Sequence, residues 1–308
     1  MRVAAIFPGQ GAQSVGMLAD VESRSSIVKQ RFAEASEALS FDLWQMTQDG
    51  PAEVLGQTEN TQPALLTASV ALWDVLQSER AQPFQVDAMA GHSLGEYSAL
   101  VCAGAMNFVD AVRLVRKRGE LMQQAVPIGQ GGMAAVLGLE DATVRDCCDS
   151  VPGVVTAANY NAPGQVVIAG ESAAVEAAIS VCKEAGAKRA VALDVSGPFH
   201  SPLMVAAAEE FAAALNDVKV VLPQTTVIQN VHAQPAVSVE ELRTNLVAQL
   251  SAPVRWTETI EKLVAEGVDQ FIEAGPGSVL SGLVKRIARG TPTIALSSAD
   301  GLTDAIAL

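Results

Sequence analysis

Positive charge is scarce: Lys and Arg total 20 against 34 Asp and Glu, a formal net charge of −14 in 308 residues. A field of that sign repels nucleic acid and anionic membranes, so neither is an expected partner. Long apolar runs are also missing. The longest uncharged stretches, residues 121–139 and 151–170, are interrupted by Gln123, Gln124, Pro127, Gly129, Asn159, Asn161 and Pro163, which a hydrocarbon core would not tolerate together. Residues 1–7 are too short for a signal-peptide core, so no export signal is read there. The three histidines are scattered, with no HExxH, and Cys102, Cys147, Cys148 and Cys182 form no CxxC pair. Metal catalysis therefore has no support, no cofactor is expected, and the cysteines read as reduced, small buried residues of a cytoplasmic protein.

What is present is core material, 49% hydrophobic residues with 18% charged, enough for one large domain or two smaller ones that fold without a partner. Short apolar runs at residues 3–7, 86–90, 226–229, 270–273 and 293–296 alternate with helical periodicity at 63–77, 108–125, 202–215 and 279–288, the signature of an α/β fold with a parallel sheet. Between residues 131 and 195 the order becomes strand, helix, strand, strand, helix, strand. This is the βαββαβ pattern of a small ferredoxin-like subdomain inserted between Gly- and Pro-bearing hinges.

The strongest local signal is Gly91-His92-Ser93-Leu94-Gly95, a GxSxG lying between an apolar run and a helical stretch. A nucleophilic serine at the tip of such a turn sits in a strained conformation, and Gly91 and Gly95 give it room. The helix behind it points backbone N–H groups at any oxyanion formed on an attacked carbonyl. Ser93 needs a base. His92 adjoins it and is expected to pack beneath the turn, and His232 lies in a polar turn and is expected to be solvated. His200, before a helix capped by Ser201 with Pro202 first, remains the candidate, its ring kept neutral by that helix N-terminus.

At about 100° per residue, Arg118 falls within roughly 60° of Ala111, Leu114, Val115, Leu121, Met122 and Ala125, on the apolar stripe of its helix. A buried guanidinium must find an anion, either a protein carboxylate such as Glu96 or the carboxylate of a substrate held by its fork. The loop Phe7-Pro8-Gly9-Gln10-Gly11 has Ser14 where a dinucleotide fingerprint needs glycine, but its backbone could donate to an oxyanion through Gln10, beside Leu94.

Taken together, Phe7-Pro8-Gly9-Gln10-Gly11, Gly91-His92-Ser93-Leu94-Gly95-Glu96, Arg118, Pro198-Phe199-His200 and Glu273-Ala274-Gly275-Pro276-Gly277 resemble the malonyl-CoA:acyl carrier protein transacylase family, nearly end to end. The resemblance, and the chain length, point to the dissociated bacterial fatty-acid system. It implies an α/β-hydrolase-like core formed by residues 1–128 and 197–308, with a ferredoxin-like subdomain at 129–196. Ser93 would attack malonyl-CoA with His200 as base, Gln10 and Leu94 would form the oxyanion hole, and Arg118 would bind the malonyl carboxylate. Gln249 would orient His200 through its backbone carbonyl, although Asp194 keeps a third-acid arrangement open. Phe199 would favour malonyl over branched acyl groups. The malonyl group would pass to holo acyl carrier protein, and the enzyme is expected to be a monomer.

An acidic carrier protein requires a local basic patch, for which Arg113, Arg116 and Lys117, Lys188 with Arg189, and Lys285 with Arg286 and Arg289 are candidates. A thioesterase or other hydrolase would use the same Ser93 and His200, and a non-catalytic carrier-binding subunit would need neither.

Overall fold

The computed structural model describes all 308 residues, Met1–Leu308. Strand β1 (Val3–Phe7) is buried at every position. Its alternating side chains feed two apolar clusters, Val3, Ala5 and Phe7 on one face and Ala4 and Ile6 on the other, as a strand covered on both sides requires. It forms the centre of a five-stranded sheet with β2 (Ala88–Gly91), β7 (Thr226–Ile228), β8 (Gln270–Glu273) and β9 (Thr293–Ala295). The spatial order is β7-β2-β1-β8-β9, every pair parallel.

Between β2 and β7 in the chain, a separate sheet is built from β3 (Gly131–Leu137), β4 (Val155–Ala162), β5 (Gln165–Glu171) and β6 (Arg189–Ala192), in the antiparallel order β4-β5-β3-β6. With the helices Asp141–Asp149 and Ser172–Glu184 this is the expected βαββαβ succession, and it has its own apolar cluster containing Cys147, Cys148 and Cys182. Strand β6 stops at Ala192, short of the expected residue 195: Ala192 still pairs with Ala134 and Leu193 N–H with Met133 O, and beyond them the exposed Asp194 continues no ladder. Strand β4 instead runs past the expected residue 159. Register shifts at Ala157/Asn159 and Tyr160/Ala162 turn it away from its neighbour, and Ala158 O and Tyr160 N–H pair with the backbone of Val254 in the larger body.

The helix expected at 63–77 begins earlier, at Thr58, and Pro63 lies inside it. Proline has no N–H for the carbonyl four residues back. That carbonyl, Glu59 O, accepts instead from Arg116 Nη1 at 3.2 Å, so the turn survives. The Phe108–Gln124 helix starts at Asn107, whose side chain accepts from Val109 and Asp110 N–H. It crosses the start of the Thr58–Ser78 helix so closely that a Cβ on Gly119 would lie 2.6 Å from Glu59 Cα. The approach seats neighbouring Arg118 in the protein interior.

Candidate active site

The loops that follow β1, β2 and β7 meet at the carboxyl ends of the parallel strands, where open α/β sheets carry their sites. β2 runs into the turn at His92-Ser93, and Ser93 has φ 50°, the strained geometry expected of a GxSxG elbow. A side chain at 95 is impossible: a Cβ there would lie 2.0 Å from Phe7 O, because the Gly95–Cys102 helix starts directly on the end of β1. Asn230, just past β7, staples the turn. Its Oδ1 accepts from Ser93 N–H at 2.7 Å and its Nδ2 donates to Gly91 O at 2.7 Å.

His200 is buried, also at positive φ (59°), with Nε2 2.7 Å from Ser93 Oγ. Its Nδ1 lies 2.8 Å from the backbone carbonyl of Gln249. A carbonyl only accepts, so the proton sits on Nδ1 and Nε2 is left bare toward the serine. Burial, and then the positive charge of Arg118, lower the ring's pKa to about 3. The cause differs from the sequence expectation. Ser201 and Pro202 do occupy the capping and first positions, but they open a three-residue 3₁₀ turn before the Val205–Asn216 helix, and Ser201 Oγ donates to Pro198 O instead of capping. Asp194 is exposed and makes no bond to His200, whose Nδ1 is already taken.

Arg118 is 1% exposed and has no ion pair. Nη1 donates to Gln62 Oε1 at 2.8 Å, and Nη2 donates to Gln249 Oε1 at 2.9 Å and to Ser93 Oγ at 3.2 Å. Its Nε–H has no protein acceptor, and the guanidinium carbon stands 5.2 Å from the Tyr97 ring centre. The Glu96 pairing left open by the sequence is not made directly. Glu96 accepts from Gln229 Nε2 at 3.1 Å, Asn230 N–H at 2.8 Å and Gln249 Nε2 at 2.8 Å, so one amide separates the two charges. Burial is the largest influence on the Glu96 carboxyl and leaves its pKa raised, against the lowering by those three donors and by Arg118.

A cleft of about 130 Å³ brings together Gln10, Ser93, Leu94, Arg118, Phe199 and His200, with Met133, Asn159, Val167, Leu193 and Val195 from the inserted segment on its other wall. The backbone N–H groups of Gln10 and Leu94 have no protein acceptor. Phe199 is buried against the cleft. His92 is held by Asn161 Oδ1 at 2.8 Å and lies against Trp256, while His232 is exposed in a turn.

Asn230, Gln62 and Gln229 were not anticipated. Asn230 follows a strand that was, and the rule that sites gather beyond strand carboxyl ends was the signal for it; neutral amides within a helix, such as Gln62, give none. Among the basic clusters, Arg116 is engaged by Glu59 and Glu120, each at 3.0 Å, whereas Lys188, Arg189, Lys285, Arg286 and Arg289 are exposed. No helix is long and apolar enough to cross a membrane.

Residues 5–298 match the model of the acyl transferase domain family. A relative from Salmonella typhimurium, named malonyl CoA-acyl carrier protein transacylase, is 52% identical over 303 residues, 98% of this chain and 97% of its own. One of the same name from Bacillus subtilis is 46% identical over 308 residues, 99% of this chain and 96% of its own. A crystal structure of an acyl carrier protein S-malonyltransferase from Vibrio cholerae superposes with a TM-score of 0.96 at 51% identity, covering 99% of both chains. A malonyl-transacylase solved in complex with a type II polyketide acyl carrier protein gives 0.97 at 48% identity, covering 100% of this chain and 99% of its own.

Proposed function

This chain belongs to the acyl transferase domain family, and from that premise we propose that it carries malonyl groups from malonyl-CoA to the phosphopantetheine thiol of acyl carrier protein through an ester on Ser93. The observation that carries the reading is a buried guanidinium without a carboxylate partner, 3.2 Å from a serine that is itself 2.7 Å from a neutral imidazole.

In the first half-reaction His200 Nε2 takes the Ser93 proton as Oγ attacks the thioester carbonyl. The tetrahedral oxyanion draws on the free N–H groups of Gln10 and Leu94. Its collapse breaks the C–S bond, and the imidazolium returns its proton to the leaving coenzyme A thiolate. The carrier thiol then repeats these steps on the malonyl-serine ester and regenerates Ser93. The Gln249 carbonyl supports the ring through Nδ1–H and stabilises the transient imidazolium, a dyad with a main-chain third member.

Arg118 binds the free malonyl carboxylate and so fixes the thioester against Ser93. An acetyl group would leave the buried guanidinium without an anion, a loss of several kcal/mol, on the order of a thousandfold in discrimination. Phe199 narrows the acyl end of the cleft against branched chains. Residues 129–196 act as a subdomain over the core formed by 1–128 and 197–308, a division supported by its separate sheet and apolar cluster. The exposed pairs Lys188–Arg189 and Lys285–Arg286 are the docking groups proposed for an acidic carrier, since they carry none of the ion pairs that occupy Arg116. The enzyme works as a cytoplasmic monomer.

The test is initial-rate kinetics with both substrates varied. A shared acyl-enzyme predicts parallel double-reciprocal lines. Intersecting lines would exclude the free acyl-enzyme, and release of malonate without carrier at the transfer rate would identify a hydrolase instead.

A further inference from the structure

Glu96 is a fully buried carboxylate that neither touches the cleft nor forms an ion pair, and no step above uses it. We propose that Glu96 is a positioning residue that sets the carboxylate selectivity of Arg118 by fixing which way the Gln249 side-chain amide points. The inference rests on the transferase reading of the site.

Both Glu96 oxygens accept and neither donates: Oε1 from Gln229 Nε2, Oε2 from Asn230 N–H and Gln249 Nε2. This is the pattern of an ionised acceptor, and Glu96 lies in the first turn of its helix, where negative charge is favoured. An amide has one donating and one accepting end. With Nε2 on Glu96, Gln249 must present Oε1 to Arg118 Nη2. The flipped amide would set oxygen against the Glu96 carboxylate and the Ser93 carbonyl and N–H against the guanidinium, three repulsive contacts in a dry site. Glu96 thus holds the Gln249 amide, which in turn holds the guanidinium beside Ser93. The same residue's main-chain carbonyl carries His200, but that carbonyl does not depend on the amide's direction. Glu96 also holds Asn230 N–H, and Gln249 Nε2 also donates to Ser93 O at 3.2 Å, so the elbow shares part of the loss while the guanidinium bears it directly. Loss of Glu96 should disturb carboxylate recognition more than serine activation.

Glu96→Met keeps the side chain's length and removes both acceptors, the one that holds Gln249 Nε2 included. The measurement is kcat/KM for Ser93 acylation with malonyl-CoA and with acetyl-CoA, in the wild type, Glu96→Met, Gln249→Met and the double variant. Gln249→Met keeps the main-chain carbonyl. Each single variant is expected to lower the malonyl-to-acetyl ratio about tenfold or more, and the double variant no further than the worse single, as for residues acting in series. Equal losses with both substrates, leaving the ratio intact, would reduce Glu96 to a structural role and overturn the proposal, as would fully multiplicative effects. If Glu96→Met does not fold, an unchanged ratio in Gln249→Met alone overturns it, since the relay passes through that amide. Failure of the wild type to form a malonyl adduct would refute the transferase reading itself.

Discussion

His200 Nδ1 lies 2.8 Å from the main-chain carbonyl oxygen of Gln249, so the ring that faces Ser93 is oriented by the backbone and not by an acid. A carbonyl cannot take a proton or change charge, and it fixes the tautomer as firmly as a carboxylate would. Removing the ring is accordingly the decisive change at the base. His200→Ala should slow Ser93 acylation by about 10²- to 10⁴-fold in single-turnover measurements while leaving the fold intact. Full-rate acylation would mean that another group is the base.

Acidification should not switch the base off where an ordinary histidine would. Burial first, and Arg118 second, bring the His200 pKa to about 3 from 6.5, so the ring stays neutral well below pH 6. The rate of acylation, followed from pH 8 down to 5, should show no loss centred near 6.5. In Arg118→Ala the acid limb should move upward, because one of the two depressing causes is gone. The same shift opposes folding at low pH: the unfolded ring gains a proton as pH falls through about 6.5 and the folded ring does not, so this contribution is complete above that value and lost below it.

Arg118→Ala should cost malonyl-CoA at least a hundredfold in kcat/KM and cost acetyl-CoA far less, because only the former offers a carboxylate to the guanidinium. Equal losses with the two substrates would contradict the clamp.

Asn230 makes a prediction about the elbow itself. Asn230→Ala removes the acceptor of Ser93 N–H, which is partly buried, and the donor to Gly91 O, which is fully buried. Each orphaned group costs about 1–3 kcal/mol, enough to lower the melting temperature by several degrees and slow acylation together. A variant with unchanged melting and unchanged acylation would show that the turn holds Ser93 without this staple.

The parts of the site legible in the sequence are those with a local pattern. Ser93 announces itself by flanking glycines between a strand and a helix, and Arg118 by its place on an apolar stripe. β1 and β8 fall on the expected residues because each is a short apolar run with turn residues at its ends. What stayed hidden is long-range. Gln62, Gln229 and Asn230 are neutral amides whose roles exist only once three separate chain segments meet around Glu96 and Arg118. The extension of the Thr58–Ser78 helix past Pro63 was illegible for a similar reason, since the orphaned Glu59 carbonyl is satisfied by Arg116, far along the chain.

The most direct measurement of the central claim is intact protein mass after brief incubation with malonyl-CoA alone, beside Ser93→Ala. One malonyl group on the wild type, none on the variant, and its discharge by added holo acyl carrier protein are the expected results. An adduct that persists in Ser93→Ala, or a wild type that transfers malonyl to the carrier without ever gaining the mass, would contradict the serine ester on which the mechanism rests.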